Sequence, residues 1–231
     1  MTEVFCAIDT PDIDSAEALV KKISATGIHL KLGLEFFIAQ GPAGVARMRA
    51  LAPERRIFLD LKLHDIPNTV AGAVRSALSC GADFLTVHAA GGKDMLTAAS
   101  DAAKDQIKIL GVTVLTHLEA RDLFATGIPG TVEGQVAKLA GLAAAAGLSG
   151  VICAPHEIAL LRKSYPRQFV LMVPGIRPTD SAADDQRRVM TPKQAAQLGA
   201  DYLVIGRPIT RASDPAAAAM QIMAEINQRA A

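Results

Sequence analysis

The chain of 231 residues predicts one (β/α)8 barrel over residues 1–231. Three observations lead there. Eight short apolar, β-branched runs alternate with Ala-rich stretches of helical character, the pattern of βαβ units and a parallel sheet. No Gly/Ser linker, low-complexity segment or step in composition divides the chain, and an α/β barrel uses this length as one domain. Polar and charged residues collect at the ends of the runs, where barrels carry their chemistry. An open doubly wound sheet also fits the alternation, but no G-x-G-x-x-G follows the first run to favour it.

The runs justify themselves in order. VFCAID (4–9) ends on Asp9, and a helix is expected over 14–25, with Asp14 or Ser15 as N-cap and Gly27 beyond its end. IHLKLG (28–33) holds Lys31. IFLDLK (57–62) carries Asp60 and Lys62, and the helix over 69–80 stops before Gly81. DFLTVHA (83–89) reaches His88 ahead of a helix over 93–104. IKILGVTVLT (107–116) ends on Thr116, and the next helix covers 133–146. GVICA (150–154) meets Pro155 and a helix over 155–163. FVLMVPG (169–175) continues as PGIRP (174–178) and the polar segment SAADDQRRVM (181–190), then a helix over 191–198. DYLVIG (201–206) ends in Gly206 and Arg207, before the last helix over 214–229.

Composition bounds the function. Half the residues are hydrophobic, enough for a large core. Aromatics are 4% with no Trp, so the core is expected to be built from Ala, Val, Ile and Leu, as in parallel-sheet proteins. A formal net charge of +1 supplies neither a nucleic-acid-binding surface nor a polybasic membrane anchor. Cys6, Cys80 and Cys153 have the spacing of neither a zinc motif nor a disulfide framework, and their odd number suits a reducing, cytoplasmic compartment. The start, MTEVFCAIDTPD, lacks the basic region of a signal peptide. LAGLAAAAGLSGVICA (139–154) is Gly-interrupted and reads as a buried helix followed by a strand, not a membrane span.

The stretch FLDLKLHDIPNTV (58–70) raises the chemical question, because Asp60, Lys62 and Asp65 follow an apolar run and buried charge is costly unless paired or used. Strand alternation puts Phe58, Asp60 and Lys62 on one face, with Leu59, Leu61 and Leu63 on the other. Lys31 also points inward. Asp65 lies just past the strand, within reach of a subunit boundary. A structural ion pair would explain D-x-K alone. With Lys31, Asp9 and Asp65 at the same mouth, an alternating Lys–Asp network can hold its charges in fixed geometry. Such a network stabilises negative charge developing on carbon and supplies a proton from a lysine. Loops after the seventh and eighth strands often bind phosphate. Gly206 admits a close anion and Arg207 offers a charged fork, although one G-R-P is also an ordinary turn. Residues 181–190 read as a lid carrying Gln186, with a solvated loop as the alternative for Arg187 and Arg188.

These motifs resemble the orotidine 5'-phosphate decarboxylase family in its bacterial type. The matching segments are AID (7–9), LKLG (30–33), FLDLKLHDIPNT (58–69), TVLT (113–116), PGIRP with DQRR (174–178 and 185–188) and VIGRPIT (204–210), in order along the chain. The resemblance implies a cofactor-free, metal-free homodimer that converts orotidine 5'-phosphate to UMP and CO2. It implies that Asp9 binds the ribose and that Lys31 joins the charged network and a ribose hydroxyl. Asp60 and Lys62 would flank the pyrimidine C6, with Lys62 as proton donor. Asp65 and Thr69 would reach the partner's site. Thr116 would contact the pyrimidine, and Arg177, Gln186, Gly206 and Arg207 would serve the phosphate and lid.

Two other readings are weighed against this one. Magnesium-dependent keto-sugar-phosphate decarboxylases or aldolases of the same barrel type share D-x-K-x-x-D but carry a Glu ligand where this chain has Lys31, and a lysine repels a cation. A non-catalytic nucleotide-binding barrel would keep the phosphate loops and lose the charged array. Among His29, His64, His88, His117 and His156, no pair has zinc-site spacing. His88 has two readings, pocket lining and structural support. Cys6 and Cys153 read as small core residues.

Overall fold

A computed structural model describes residues 2–178 and 190–227. Eight parallel strands close on themselves: β1 (Glu3–Ile8), β2 (His29–Gly33), β3 (Ile57–Leu63), β4 (Phe84–His88), β5 (Lys108–Val112), β6 (Gly150–Ile152), β7 (Val170–Pro174) and β8 (Tyr202–Ile205). Each pairs with the next, and β8 pairs with β1, with Phe5 opposite Val204. The sequence-expected (β/α)8 barrel is therefore the fold.

The connections are α1 (Ile13–Ile23), α2 (Leu34–Leu51), α3 (Pro67–Ser79), α4 (Gly92–Ala103), α5 (Ala120–Ala125), α6 (Val132–Ala145), α7 (Ile158–Ser164), α8 (Pro192–Leu198), α9 (Arg207–Thr210) and α10 (Pro215–Asn227). Asp12, rather than Asp14 or Ser15, caps α1 by accepting from the Ser15 amide at 2.8 Å. Three helices go beyond the sequence expectation: α2, α5 and α9. In α2, Gly41 at φ 57°, followed by Pro42, breaks the helical run in its middle, which hides its periodicity. The run expected to continue to residue 116 leaves the sheet after Val112. β6 offers only three residues to pair with. Thr113 then turns its hydroxyl onto the Ile152 carbonyl at 2.9 Å.

Alternation along the strands sorts the core into two layers. Outward residues such as Val4, Cys6, Ile8, Leu30, Leu32, Leu59, Leu85 and Val87 meet the helices in one aliphatic shell. Inward residues Phe5, Phe58, Phe84, Leu110, Val170, Met172 and Tyr202 form a separate plug. The expectation of an aliphatic core holds for the shell and fails for the plug. An eight-stranded barrel has a lumen that a few inward side chains must fill, and rings fill it. Phe5 meets Phe58, Phe84 and Tyr202 edge-on, with ring centres 5.7, 5.5 and 5.6 Å away. Such contacts contribute about 0.5–1.5 kcal/mol each beyond area burial. The buried Cys6 and Cys153 pack as core residues. Burial, with Asp9 adding to it, pushes the Cys6 thiol up to about 12.

Candidate active site

The strand carrying the charges is not regular. Phe58 and Leu59 pair with Phe84 and Leu85, but Leu63 pairs with Val87. Between those pairings β3 advances four residues (59 to 63) while β4 advances two (85 to 87). A bulge of this kind re-aims side chains near active sites. Within it, Lys62 adopts a left-handed backbone, φ 50°, which costs a residue with a side chain about 1–2 kcal/mol. The pairing of Asp60 with Lys62 thus rests on a bulge and a strained lysine rather than on the unbroken pleat that the sequence suggests.

The charges form a chain. Lys31 Nζ donates to Asp9 Oδ1 at 3.0 Å and stands 3.8 Å from Asp60 Oδ2. The same Asp60 oxygen accepts from Lys62 Nζ at 2.8 Å. Asp60 Oδ1 accepts from the Thr86 hydroxyl at 3.0 Å. The side chains of Lys31 and Asp60 are 10% and 15% exposed, whereas Asp9 is 52% exposed, so the buried carboxylate has two ammonium neighbours and the open one has one. Adjacent strands set this geometry, with Lys31 beside Ala7 and Gly33 beside Asp60 in register.

A cavity of about 260 Å³ opens at the C-terminal ends of the strands. Phe58, at the top of the aromatic plug, is its floor. Asp9, Lys31 and Asp60 line it from β1 to β3, and Arg177, Gly206 and Arg207 line it after β7 and β8. Arg177 is 7% exposed, a guanidinium desolvated beside the cavity and suited to a bidentate anion. The structure therefore brings Asp9, Lys31, Asp60, Arg177, Gly206 and Arg207 to one cavity, with Lys62 hydrogen-bonded to Asp60 beside it.

Three other expected residues stand apart from that cavity. Asp65 is exposed, and its Oδ1 accepts from the Ile66 amide at 2.6 Å. Thr69 is exposed in the first turn of α3. Thr116 is exposed in the turn after β5, where the Leu118 amide bonds the Leu115 carbonyl at 2.9 Å. Gln186, with Arg187 and Arg188 of the expected lid, lies outside the described residues.

Beside Lys62, the His64 and His88 rings lie 5.3 Å apart. Burial lowers the His88 pKa, the neighbouring His64 and the Lys62 ammonium lower it further, and Asp60 opposes them. His88 packs against His64 and is not among the residues lining the cavity. Among the described residues no cluster of three or more His, Cys, Asp or Glu side chains is placed to hold a metal ion. Thr86 escaped the sequence reading. Its signal was a lone hydroxyl at an inward position, between Phe84 and His88, in an otherwise apolar run.

With this geometry in place, residues 2–222 match the model of the orotidine 5'-phosphate decarboxylase / HUMPS family. The chain belongs to this family. Relatives named orotidine 5'-phosphate decarboxylase include one from Moorella thermoacetica, 49% identical over 233 residues, covering 97% of this chain and 92% of the relative. Another, from Anaeromyxobacter sp. (strain K), is 48% identical over 221 residues, 96% of each chain. The crystal structure of orotidine 5'-phosphate decarboxylase from Lactobacillus acidophilus superposes with a TM-score of 0.87 at 34% identity, covering 99% of this chain and 100% of that one. Family membership and the barrel agree from end to end. Motif segments on β1, β2 and β3 and in the loops after β7 and β8 all reach the cavity.

Proposed function

We propose that this protein decarboxylates orotidine 5'-phosphate to UMP and CO2, as a carbon–carbon lyase of pyrimidine biosynthesis that needs no cofactor. The observation that carries the reading is the continuous Asp9–Lys31–Asp60–Lys62 chain at one end of a cavity whose other lining includes Arg177 and Arg207. Its family membership supports the same substrate.

The arginines and Gly206 take the phosphate, remote from the chemistry, and Asp9 and Lys31 take the ribose. That remote binding energy fixes the base over the charged chain. The bond between C6 and the carboxylate breaks, CO2 leaves, and the electron pair stays on C6. The Lys62 ammonium faces that developing charge and transfers its proton to C6; solvent then reprotonates the amine. Asp60 holds Lys62 charged and aimed, and Lys31 offsets the second carboxylate's repulsion. Stabilisation of the transition state by this preformed array is the main effect. Residues 58–70 keep their charges because the reaction uses them. A magnesium-dependent reaction would need a carboxylate where the Lys31 ammonium sits, between Asp9 and Asp60.

We further propose a homodimer in the cytoplasm, in which Asp65 and Thr69 of each chain complete the site of the other. Exposed Asp65 and Thr69 flank Ile66, a large hydrophobic side chain left 66% exposed. The three free cysteines accord with a reducing compartment. Among the described residues no helix is long and apolar enough to cross a membrane.

Purified protein mixed with orotidine 5'-phosphate in excess EDTA should convert it rapidly, read as the ultraviolet absorbance change on UMP formation. Lack of conversion by a folded sample would overturn the proposal, and EDTA-sensitive turnover of a keto-sugar phosphate would replace it. Lys62→Ala and Asp65→Asn chains should each be nearly inactive yet bind UMP. Mixed in equal amounts and allowed to exchange subunits, they should recover about a quarter of the normal rate, since hybrid dimers hold one intact shared site. No recovery after verified exchange would confine each site to one chain.

A further inference from the structure

We infer that Thr86 is a positioning residue that locks the Asp60–Lys62 pair, an inference that rests on the decarboxylase reading. Thr86 is fully buried on β4. Its Oγ1 accepts from the Lys62 backbone amide at 2.9 Å and donates to Asp60 Oδ1 at 3.0 Å. A hydroxyl has one proton and two lone pairs, and a backbone amide can only donate. The proton of Thr86 is therefore committed to the carboxylate, and both bonds hold together without competition.

The bulge explains why a side chain is needed here. Between Leu59 and Leu63 the ladder with β4 slips, and the Lys62 amide meets the Thr86 hydroxyl in place of a ladder carbonyl. That bond steadies a lysine held at φ 50°, a conformation that persists only where its surroundings over-determine it. The same hydroxyl occupies Oδ1 of Asp60, which leaves Oδ2 for Lys62 Nζ at 2.8 Å and Lys31 Nζ at 3.8 Å. One buried oxygen thus fixes the backbone of the proton donor and the orientation of its carboxylate. It touches neither the cavity nor the reacting atoms, so its effect is on alignment.

Thr86→Val keeps the shape and removes the hydroxyl, whereas Thr86→Ser keeps the hydroxyl. With orotidine 5'-phosphate, T86V should lose roughly 10- to 100-fold in kcat, the scale of a small misplacement of reacting groups. Its KM should stay within about 3-fold of wild type, because uniform binding is intact, and T86S should restore most of kcat. Independently of turnover, amide hydrogen exchange at Lys62, read by NMR, should be faster in T86V and protected in T86S and wild type. Thr86→Ala gives the same two comparisons if T86V does not fold. Wild-type kcat in T86V, equal losses in T86S and T86V, or unchanged Lys62 exchange would each overturn the inference. If wild type itself fails to turn over orotidine 5'-phosphate, the functional reading falls. The exchange comparison then decides alone whether Thr86 holds Lys62.

Discussion

A side chain at position 33 would enter space that the charged chain already uses. A Cβ built on Gly33 lies 3.0 Å from Asp9 Oδ1 and 3.0 Å from Lys31 Nζ. The backbone there is extended, φ −90° and ψ −175°, so alanine meets no conformational barrier and the whole effect falls on the pair. Gly33→Ala should fold with little loss of stability and displace the half-exposed Asp9 from Lys31. Loss of that alignment should lower kcat/KM about 10-fold, measured with orotidine 5'-phosphate beside a thermal melt. Wild-type kcat/KM would mean that Asp9 can move without consequence. The sequence showed which residues carry charge at the mouth, because strand alternation and run ends are periodic properties. It did not show which of them meet. Asp65, Thr69 and Thr116 sit in loops or a helix turn away from the cavity, and such distances depend on tertiary placement that no spacing encodes. Thr86 was hidden for the opposite reason, as a residue whose importance lies in two neighbours on another strand.

At the scale of elements, the barrel is closed at its shortest strand by a missing side chain. β6 has three residues, and a Cβ on Gly150 would sit far inside contact distance of the Val170 carbonyl on β7. The obstacle is backbone, which cannot swing aside as a rotamer can. Gly150→Ala should force β6 and β7 apart and cost about 1–3 kcal/mol or more, the scale of overpacking in a closed core. A urea titration should show a lower midpoint at unchanged slope; an unchanged midpoint would mean that the two strands part freely. The eight strand centres were legible because short apolar runs between turn signals are a local pattern. Their ends were not. The TVL continuation of β5 is as β-prone as its start, and its pairing stops at Val112 because both neighbours end there, β4 at His88 and β6 at Ile152. The bulge in β3 reads in sequence as plain alternation, FLDLKL, since nothing in one strand reveals how far its neighbour advances. α2 was missed because Gly41 and Pro42 interrupt its pattern, while packing on the sheet through Phe36, Val45 and Met48 holds it together.

The molecule as a whole separates its two ends. Barrel chemistry lies at the C-terminal face, and the opposite face serves stability. There His29 is buried beside Phe5. Its Nδ1 accepts from the Arg56 amide at 3.2 Å, which puts the ring proton on Nε2, donated to Glu3 at 2.6 Å. A second proton would face an N–H. Burial is the main cause that lowers the His29 pKa; Glu3 opposes it without winning, and Arg56 and Arg55 add to it. An unfolded histidine titrates near about 6.5. As pH falls, the unfolded chain therefore takes up protons before the folded one, and stability rises with pH wherever the unfolded state binds more protons. The contribution of His29 is complete above the unfolded value and is lost as pH drops through the lower folded value. His88, also lowered by burial first, adds in the same direction. The urea midpoint should be lower at pH 5.5 than at pH 7.5 in wild type. The pH slope should be shallower in His29→Gln, which keeps a donor for Glu3 and removes the titration. His29 lies at the face away from the cavity, so folded H29Q should keep the wild-type kcat. A midpoint that held or rose on acidification would show that the ring takes its second proton inside the fold. In that case the Arg56 amide must turn away from it.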